Sequence, residues 1–228
     1  YGGNGPLIEY ATLKEYLNPK VKNILWLYYE GNDLINLETN HNKKILKNYL
    51  NDLSFNQNLQ LKQSKIDDLS KDNMIELIRE QELEIAVEEK KRTKQREIEI
   101  KSSNYLKFIK LDNLRSLILS QPQTIPQPKQ EFKKILQLTK ELTNKNNSKL
   151  YFIYLPTYKR YKTTHNNTNY NLVKNIVTEL KIPFINIHKE VFEKEQNPLK
   201  LFPFELQGHY TVDGYKKVAE TIYKFTKD

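Results

Sequence analysis

Short apolar runs alternate with helical stripes along most of this chain. Residues 23–29, Asn-Ile-Leu-Trp-Leu-Tyr-Tyr, form an apolar run of strand length that ends abruptly at Glu30-Gly31-Asn32-Asp33. That is the pattern of a strand buried in a parallel sheet and stopped by a turn. Residues 150–155 repeat it before Pro156, and 183–187 give a third, shorter run. Apolar residues at helical spacing fill the intervals. Leu7, Tyr10, Ala11 and Leu17 stripe a first helix over 5–17, with Pro6 suited to its first turn and Asn18-Pro19 ending it. Phe132, Ile135, Leu136 and Leu142 stripe a second helix, and Val173, Ile176, Val177 and Leu180 a third. Tyr215, Ala219, Ile222 and Phe225 stripe a last one over 211–226. Strands separated by helices at this spacing predict an α/β fold, a parallel sheet with helices on both faces.

Residues 33–53 read as an active-site loop that continues into a helix carrying Ile45, Leu46, Tyr49, Leu50 and Leu53. The pattern then changes. Residues 60–101 are dense in Glu, Lys, Gln and Arg, with a sparse apolar stripe at Ile66, Leu69, Met74, Leu77, Ile78 and Ile85. This is the composition of exposed helix. Unbroken, it would run roughly 60 Å at about 1.5 Å per residue, and two helices packed on each other are expected instead. Tyr105, Phe108, Ile109, Leu114, Leu117 and Ile118 bring the chain back to the main body, and Pro122, Pro126 and Pro128 mark a rigid, extended connector. The domain organisation read from this is an α/β domain of residues 1–55 and 121–228, with a helical insertion over 56–120. The insertion should project from the body, contribute little to its core, and be replaceable by a short linker.

Composition narrows the possibilities. The 228 residues suffice for one large domain, while 38% apolar against 29% charged content calls for solvated helix as well as core. No run approaches the roughly 18 apolar residues of a membrane span. With no cysteine there is no disulfide or thiolate chemistry. The chain carries 37 basic and 28 acidic residues, a net +9, and residues 129–228 hold 18 and 10 of them. The lysines are dispersed, no arginine-rich run accompanies them, and nucleic-acid binding is not expected. No metal or cofactor is expected either. No His/Cys/Asp/Glu cluster has ligand spacing, and the glycines at 2, 3 and 5 lack the Lys-Ser/Thr ending of a phosphate loop.

Candidate chemistry lies in three polar stretches: Gly2-Gly3-Asn4-Gly5-Pro6, Gly31-Asn32-Asp33, and Gly208-His209-Tyr210-Thr211-Val212-Asp213-Gly214. The second follows a buried strand, so its side chains arrive at the carboxyl end of a sheet, where α/β folds hold their ligands. In this order the stretches resemble the SGNH (GDSL-type) hydrolases, with Gly3 matching the glycine block, Asn32 the asparagine block and His209 the histidine block. The serine block would lie before residue 1, since nothing like its Gly-Asp-Ser pattern occurs in these residues. The resemblance covers most of the chain outside roughly residues 56–125. It implies a three-layer α/β/α, flavodoxin-like fold whose first strand-helix-strand is absent from these residues. It also implies hydrolysis or transfer of an ester acyl group through an acyl-serine, on an ester-bearing small molecule, carbohydrate or lipid. The alternative is a non-catalytic α/β interaction module whose charged insertion or basic carboxyl-terminal half binds a partner or an anionic polymer.

Under the resemblance, Gly3 supplies a backbone N–H and Asn32 a side-chain NH2 to an oxyanion, and His209 is the general base. Each has a plainer reading as well: Gly2, Gly3 and Gly5 shape a turn into a helix, and Asn32 is a common strand-end turn residue. Among the four histidines, His209 alone sits in a glycine-flanked loop before a terminal helix, which Thr211 can cap. His41 reads as solvated at a helix start, His188 as a helix cap, and His165 as a loop residue able to touch substrate. The aspartate that the family usually carries three residues before the histidine is here Leu206. Glu205 is the nearest upstream acid and a candidate substitute, beside a Ser-His dyad or an acid from elsewhere. Asp33 and Asp213 read as helix-start acids. The serines present fall in helices, linkers or the insertion, so residues 1–228 by themselves should show no serine-esterase turnover.

Overall fold

The computed structural model describes residues 3–99, 125–162 and 166–227, and of residues 86 and 88–99 the backbone alone. The described residues are mixed α/β, mostly helical, with a small parallel sheet. The chain divides into two compact units, Tyr1–Gln57 with Ile125–Asp228, and Asn58–Thr124.

The first unit is built on strands β1 (Asn23–Tyr29), β2 (Lys149–Leu155) and β3 (Phe184–Asn186), all parallel and in the order β1-β2-β3. Leu25 stands opposite Tyr151, Leu27 opposite Ile153, and Ile153 opposite Ile185. The central strand is buried from Leu150 to Tyr154, which is why its sequence is a continuous apolar run rather than an alternating one. On one face, Trp26, Tyr28, Leu150, Phe152 and Tyr154 pack with apolar residues of α1 (Pro6–Tyr16), α2 (Asp33–His41), α3 (Lys44–Asn51), α5 (Gln130–Lys145) and α7 (Thr168–Glu179). Aromatic rings make rungs across that face: Tyr28 stacks on Phe152 at 5.5 Å between centroids, and Phe152 on Phe184 at 5.7 Å. Such pairs add about 0.5–1.5 kcal/mol each beyond area burial.

On the other face, Tyr151, Ile153 and Ile185 are covered by Ile187 of α8 (Ile187–Glu190), by Phe192, Leu201 and Phe202 in the 3-10 turns that follow, and by Val218 of α9 (Val212–Thr226). This cover stops short of β1. Leu25 is 41% and Leu27 48% exposed, although their partners across the ladder are buried. Among the described residues β1 has one neighbour in the sheet and so stands at its edge.

The second unit contains α4 (Gln63–Glu99), one continuous helix of 37 residues, about 55 Å long at about 1.5 Å per residue. This corrects the expectation of two packed helices over 60–101. The reason is local: no glycine or proline interrupts residues 63–99, and side chains pair one turn apart, as in Gln63 Nε2 donating to Asp67 Oδ1 at 2.6 Å. Leu69, Met74, Leu77, Ile78, Leu83, Ile85 and Val87 are exposed along it. A second correction concerns 33–53. No loop precedes the helix; Asp33 opens α2 directly, and a short break separates α2 from α3. The returning stretch expected at 105–118, Pro122, Gly2 and His165 lie outside the described residues.

Candidate active site

Two of the candidate residues, Asn32 and His209, lie at the carboxyl end of β1. Tyr29 is the last residue of the strand, and its ring lies 6.2 Å from the imidazole of His209 between centroids. Three positions on, Asn32 is the residue before α2, with an exposed side chain that makes no cap bond. Asn32 and His209 therefore flank the same end of the same strand. Gly3 lies in a turn before α1 with φ +83°, a conformation that side-chain-bearing residues rarely adopt. Its carbonyl accepts from Asn40 Nδ2 at 3.0 Å, and the neighbouring Asn4 carbonyl accepts from Asn36 Nδ2 at 2.8 Å. Among the described residues no acceptor takes the Gly3 N–H.

The loop carrying His209 is fastened on both sides. Tyr158 Oη donates to the Glu205 carbonyl at 3.0 Å, and the buried Tyr210 donates its hydroxyl to the Pro156 carbonyl at 2.6 Å. Thr211 N–H reaches the Leu201 carbonyl at 2.8 Å, and Thr211 Oγ1 caps α9 by accepting from Gly214 N–H at 3.1 Å. Between these anchors, residues 206–209 are exposed. Phe204 and Glu205 both hold φ near +55°, at 55° and 54°. Each such residue costs of order 1–3 kcal/mol, which the anchoring bonds offset.

Glu205 does not reach His209. Its Oε1 accepts from Asn197 Nδ2 at 3.2 Å, and no described carboxylate is hydrogen-bonded to the imidazole. Two other histidines differ from expectation. His41 ends α2 rather than starting a helix, and its Nδ1 is buried without a hydrogen bond. His188 does not cap α8; Asn186 does, accepting from Lys189 N–H, while His188 bridges Tyr161 Oη at 2.9 Å and Glu193 Oε1 at 3.0 Å. Of the described serines, Ser54 bonds Asp52, Ser148 bonds the Val21 carbonyl beside the amino end of β2, and Ser64 and Ser70 lie on α4. None is hydrogen-bonded to His209.

Two charged clusters behind the site were not visible in the sequence. One joins the ends of adjacent strands. Arg160, in α6 (Lys159–Lys162), forks onto Glu30, its Nε reaching Oε2 at 3.0 Å and a terminal nitrogen reaching Oε1. Arg160 also donates to Asn167 Oδ1 at 2.6 Å and Tyr154 Oη at 3.2 Å, and Thr157 N–H reaches Glu30 Oε2 at 3.0 Å. Both side chains of the pair are buried. The only signal was positional: an acid and a base just past the ends of two parallel runs. The second cluster is Glu9 with Asp33. Asp33 is 5% exposed and accepts from Tyr29 N–H at 2.8 Å, while Glu9 Oε2 is buried with no partner. Burial pushes the Asp33 carboxyl well above its usual range, and the Glu9 charge adds to this. Burial likewise raises Glu9 to about 7.

The Asn32 amide and the His209 imidazole, both placed at this strand end, can donate to a carbonyl oxygen and accept a proton beside it, whereas Gly3 is held against Asn40, about 12 Å along α2 from Asn32. Among the described residues no group of three or more His, Cys, Asp or Glu side chains could hold a metal ion, and no helix is long and apolar enough to cross a membrane. No family model, curated protein or solved structure matches this chain.

Proposed function

We propose that these residues belong to an SGNH-like ester hydrolase or acyltransferase of three-layer α/β/α architecture. The Asn32 amide donates to the oxyanion, and His209 is the base. The observation that most supports the reading is that Asn32 follows β1 closely while the His209 imidazole packs near Tyr29, the last residue of that strand. In this reading the nucleophilic serine comes from a strand preceding Tyr1, which adds to β1 at its open edge. The exposed Leu25 and Leu27 lie on a sheet face that the described helices leave open there, and they support a preceding segment that covers it. The substrate is an ester-bearing small molecule, carbohydrate or lipid, and no cofactor takes part.

The serine hydroxyl attacks the ester carbonyl while His209 removes its proton. The carbonyl oxygen gathers charge and is met by the Asn32 donor. His209 then returns the proton to the leaving alcohol, and water or an acceptor alcohol releases the acyl group by the reverse path. With Glu205 turned to Asn197, the imidazole is set by the Tyr29 ring and the anchored loop rather than by an acid.

The test is turnover of a short-chain aryl ester by the full-length protein. His209→Ala should lower kcat by a large factor, and Asn32→Ala should raise the barrier by about 2.7–4 kcal/mol, the range for one lost oxyanion donor. Glu205→Gln should change little. If the full-length parent is inert on every ester tried, or His209→Ala keeps full rate, the hydrolase reading fails. The interaction-module reading, favoured by the exposed apolar side chains of α4, then takes its place.

A further inference from the structure

Three consecutive buried residues at the carboxyl end of β2, Pro156, Thr157 and Tyr158, each make one hydrogen bond toward the surroundings of His209. The Pro156 carbonyl accepts from Tyr210 Oη at 2.6 Å, Tyr29 Oη donates to Thr157 Oγ1 at 3.4 Å, and Tyr158 Oη donates to the Glu205 carbonyl at 3.0 Å. The turn they form is itself fixed. Thr157 N–H donates to Glu30 Oε2 at 3.0 Å, Arg160 forks onto the same carboxylate, and Glu30 N–H reaches the Leu155 carbonyl at 3.0 Å. Gly31 makes room for the third partner. A Cβ added there would overlap Tyr29 Cε1 and stand 2.9 Å from its Cζ, so the ring folds back over a residue that has no side chain. From that place its hydroxyl meets Thr157, and its centroid lies 6.2 Å from that of the imidazole.

We propose that Thr157 is a positioning residue for His209: the 156–158 turn, locked by the Glu30–Arg160 pair, holds the Tyr29 ring beside the imidazole through the Thr157 hydroxyl, and holds the His209 loop through Pro156 and Tyr158. A general base works when a third group fixes its orientation, and an acid on the far ring nitrogen is the common solution. Here the nearest acid, Glu205, is bonded to Asn197. Residues 206–209 are exposed between the anchors at Glu205 and Tyr210, so an unsupported imidazole would turn in solvent. The turn supplies two backbone anchors and, through Tyr29, one aromatic surface. The buried ion pair fits the same role: such pairs add little net stability over apolar residues, and their best-attested use is to fix register. This inference rests on the base role proposed above for His209.

The experiment compares Thr157→Val, Thr157→Ser and Gly31→Ala with the parent, all as full-length protein. In the first arm, NMR reads the cross-relaxation between Tyr29 ring and His209 imidazole protons, and the order of the imidazole on the ps–ns timescale. The expected result is that Thr157→Val and Gly31→Ala weaken the cross-peaks and loosen the imidazole. Thr157→Ser, which keeps the hydroxyl, should match the parent, and the emission of the buried Trp26 should stay unchanged in all three. Gly31→Ala keeps the arm readable should Thr157→Val fold poorly, since the far end of the Tyr29 ring is what has to move. In the second arm, kcat and KM are measured for a short-chain aryl ester. Thr157→Val should lower kcat on the order of ten-fold, within the hundred-fold of a misplacement of about 1 Å, with KM nearly unchanged and Thr157→Ser restoring the rate. Cross-peaks and imidazole order equal to the parent in both Thr157→Val and Gly31→Ala overturn the proposal. So does an active parent whose kcat survives both substitutions, or a Thr157→Ser variant that behaves like Thr157→Val. An inert parent sinks the hydrolase reading instead, and the NMR arm then decides the positioning alone.

Discussion

Replacing Glu9 by glutamine should stabilise this protein above neutral pH and flatten its pH dependence. Glu9 lies in the first turn of α1 facing Asp33, and the two carboxyls are buried beside Tyr28 and the Tyr29 N–H. Burial lifts Glu9 from 4.5 to about 7 in the folded protein. Below pH 4.5 the group is protonated folded and unfolded alike, and its contribution to stability is fully present. Between 4.5 and about 7 the unfolded chain ionises first, and stability falls as pH rises. Above about 7 the folded protein must hold a charged carboxylate next to Asp33. A rise of that size, at about 1.36 kcal/mol per pH unit, amounts to about 3 kcal/mol lost between pH 4.5 and 8. Glutamine keeps the shape and cannot ionise, so it should lose none of this, and removing the Glu9 charge also eases the raised Asp33. The assay is urea unfolding from pH 4.5 to 8, followed by the emission of Trp26, the one tryptophan, which is 4% exposed in the core of the first unit. The gap between variant and parent should widen by about 3 kcal/mol with rising pH, or roughly 6–12 °C in Tm for a unit of this size. Parallel curves across that range would refute the buried pair.

Arg160→Ala should cost about 3–5 kcal/mol, because it strands the buried Glu30 carboxylate at the strand end; a loss below about 1 kcal/mol in the same unfolding assay would mean that water replaces the guanidinium. Replacing residues 58–124 with a short Gly/Ser linker should leave Trp26 buried and unfolding cooperative, since the first unit has its own core on both sheet faces. An emission maximum shifted to that of exposed tryptophan would show that the second unit is needed for folding.

The order of elements was legible in the sequence because it is written in local periodicity. The runs at 23–29, 150–155 and 183–187 became β1, β2 and β3, and Pro6, Asn18-Pro19 and Thr211 bound helices where their backbone preferences put them. The unbroken α4 was misjudged for a reason the sequence did contain: without glycine or proline, charged helix continues, whatever its apolar stripe would gain from folding back. The placement of Asn32 and His209 at one strand end is expected from the rule that strand ends gather ligands, yet the approach of His209 to Tyr29 is tertiary. It depends on Tyr29 closing against a loop that Tyr158, Tyr210 and Thr211 fasten from elsewhere. Glu205 is near His209 in sequence, but Asn197 takes its carboxylate. Glu30 with Arg160, Glu9 with Asp33, and the hydrogen bonds from Asn36 and Asn40 to the glycine turn were decided by packing alone. Periodicity reports which face of an element is buried; which polar group it meets there depends on how other elements are set against it, and that is a property of the fold.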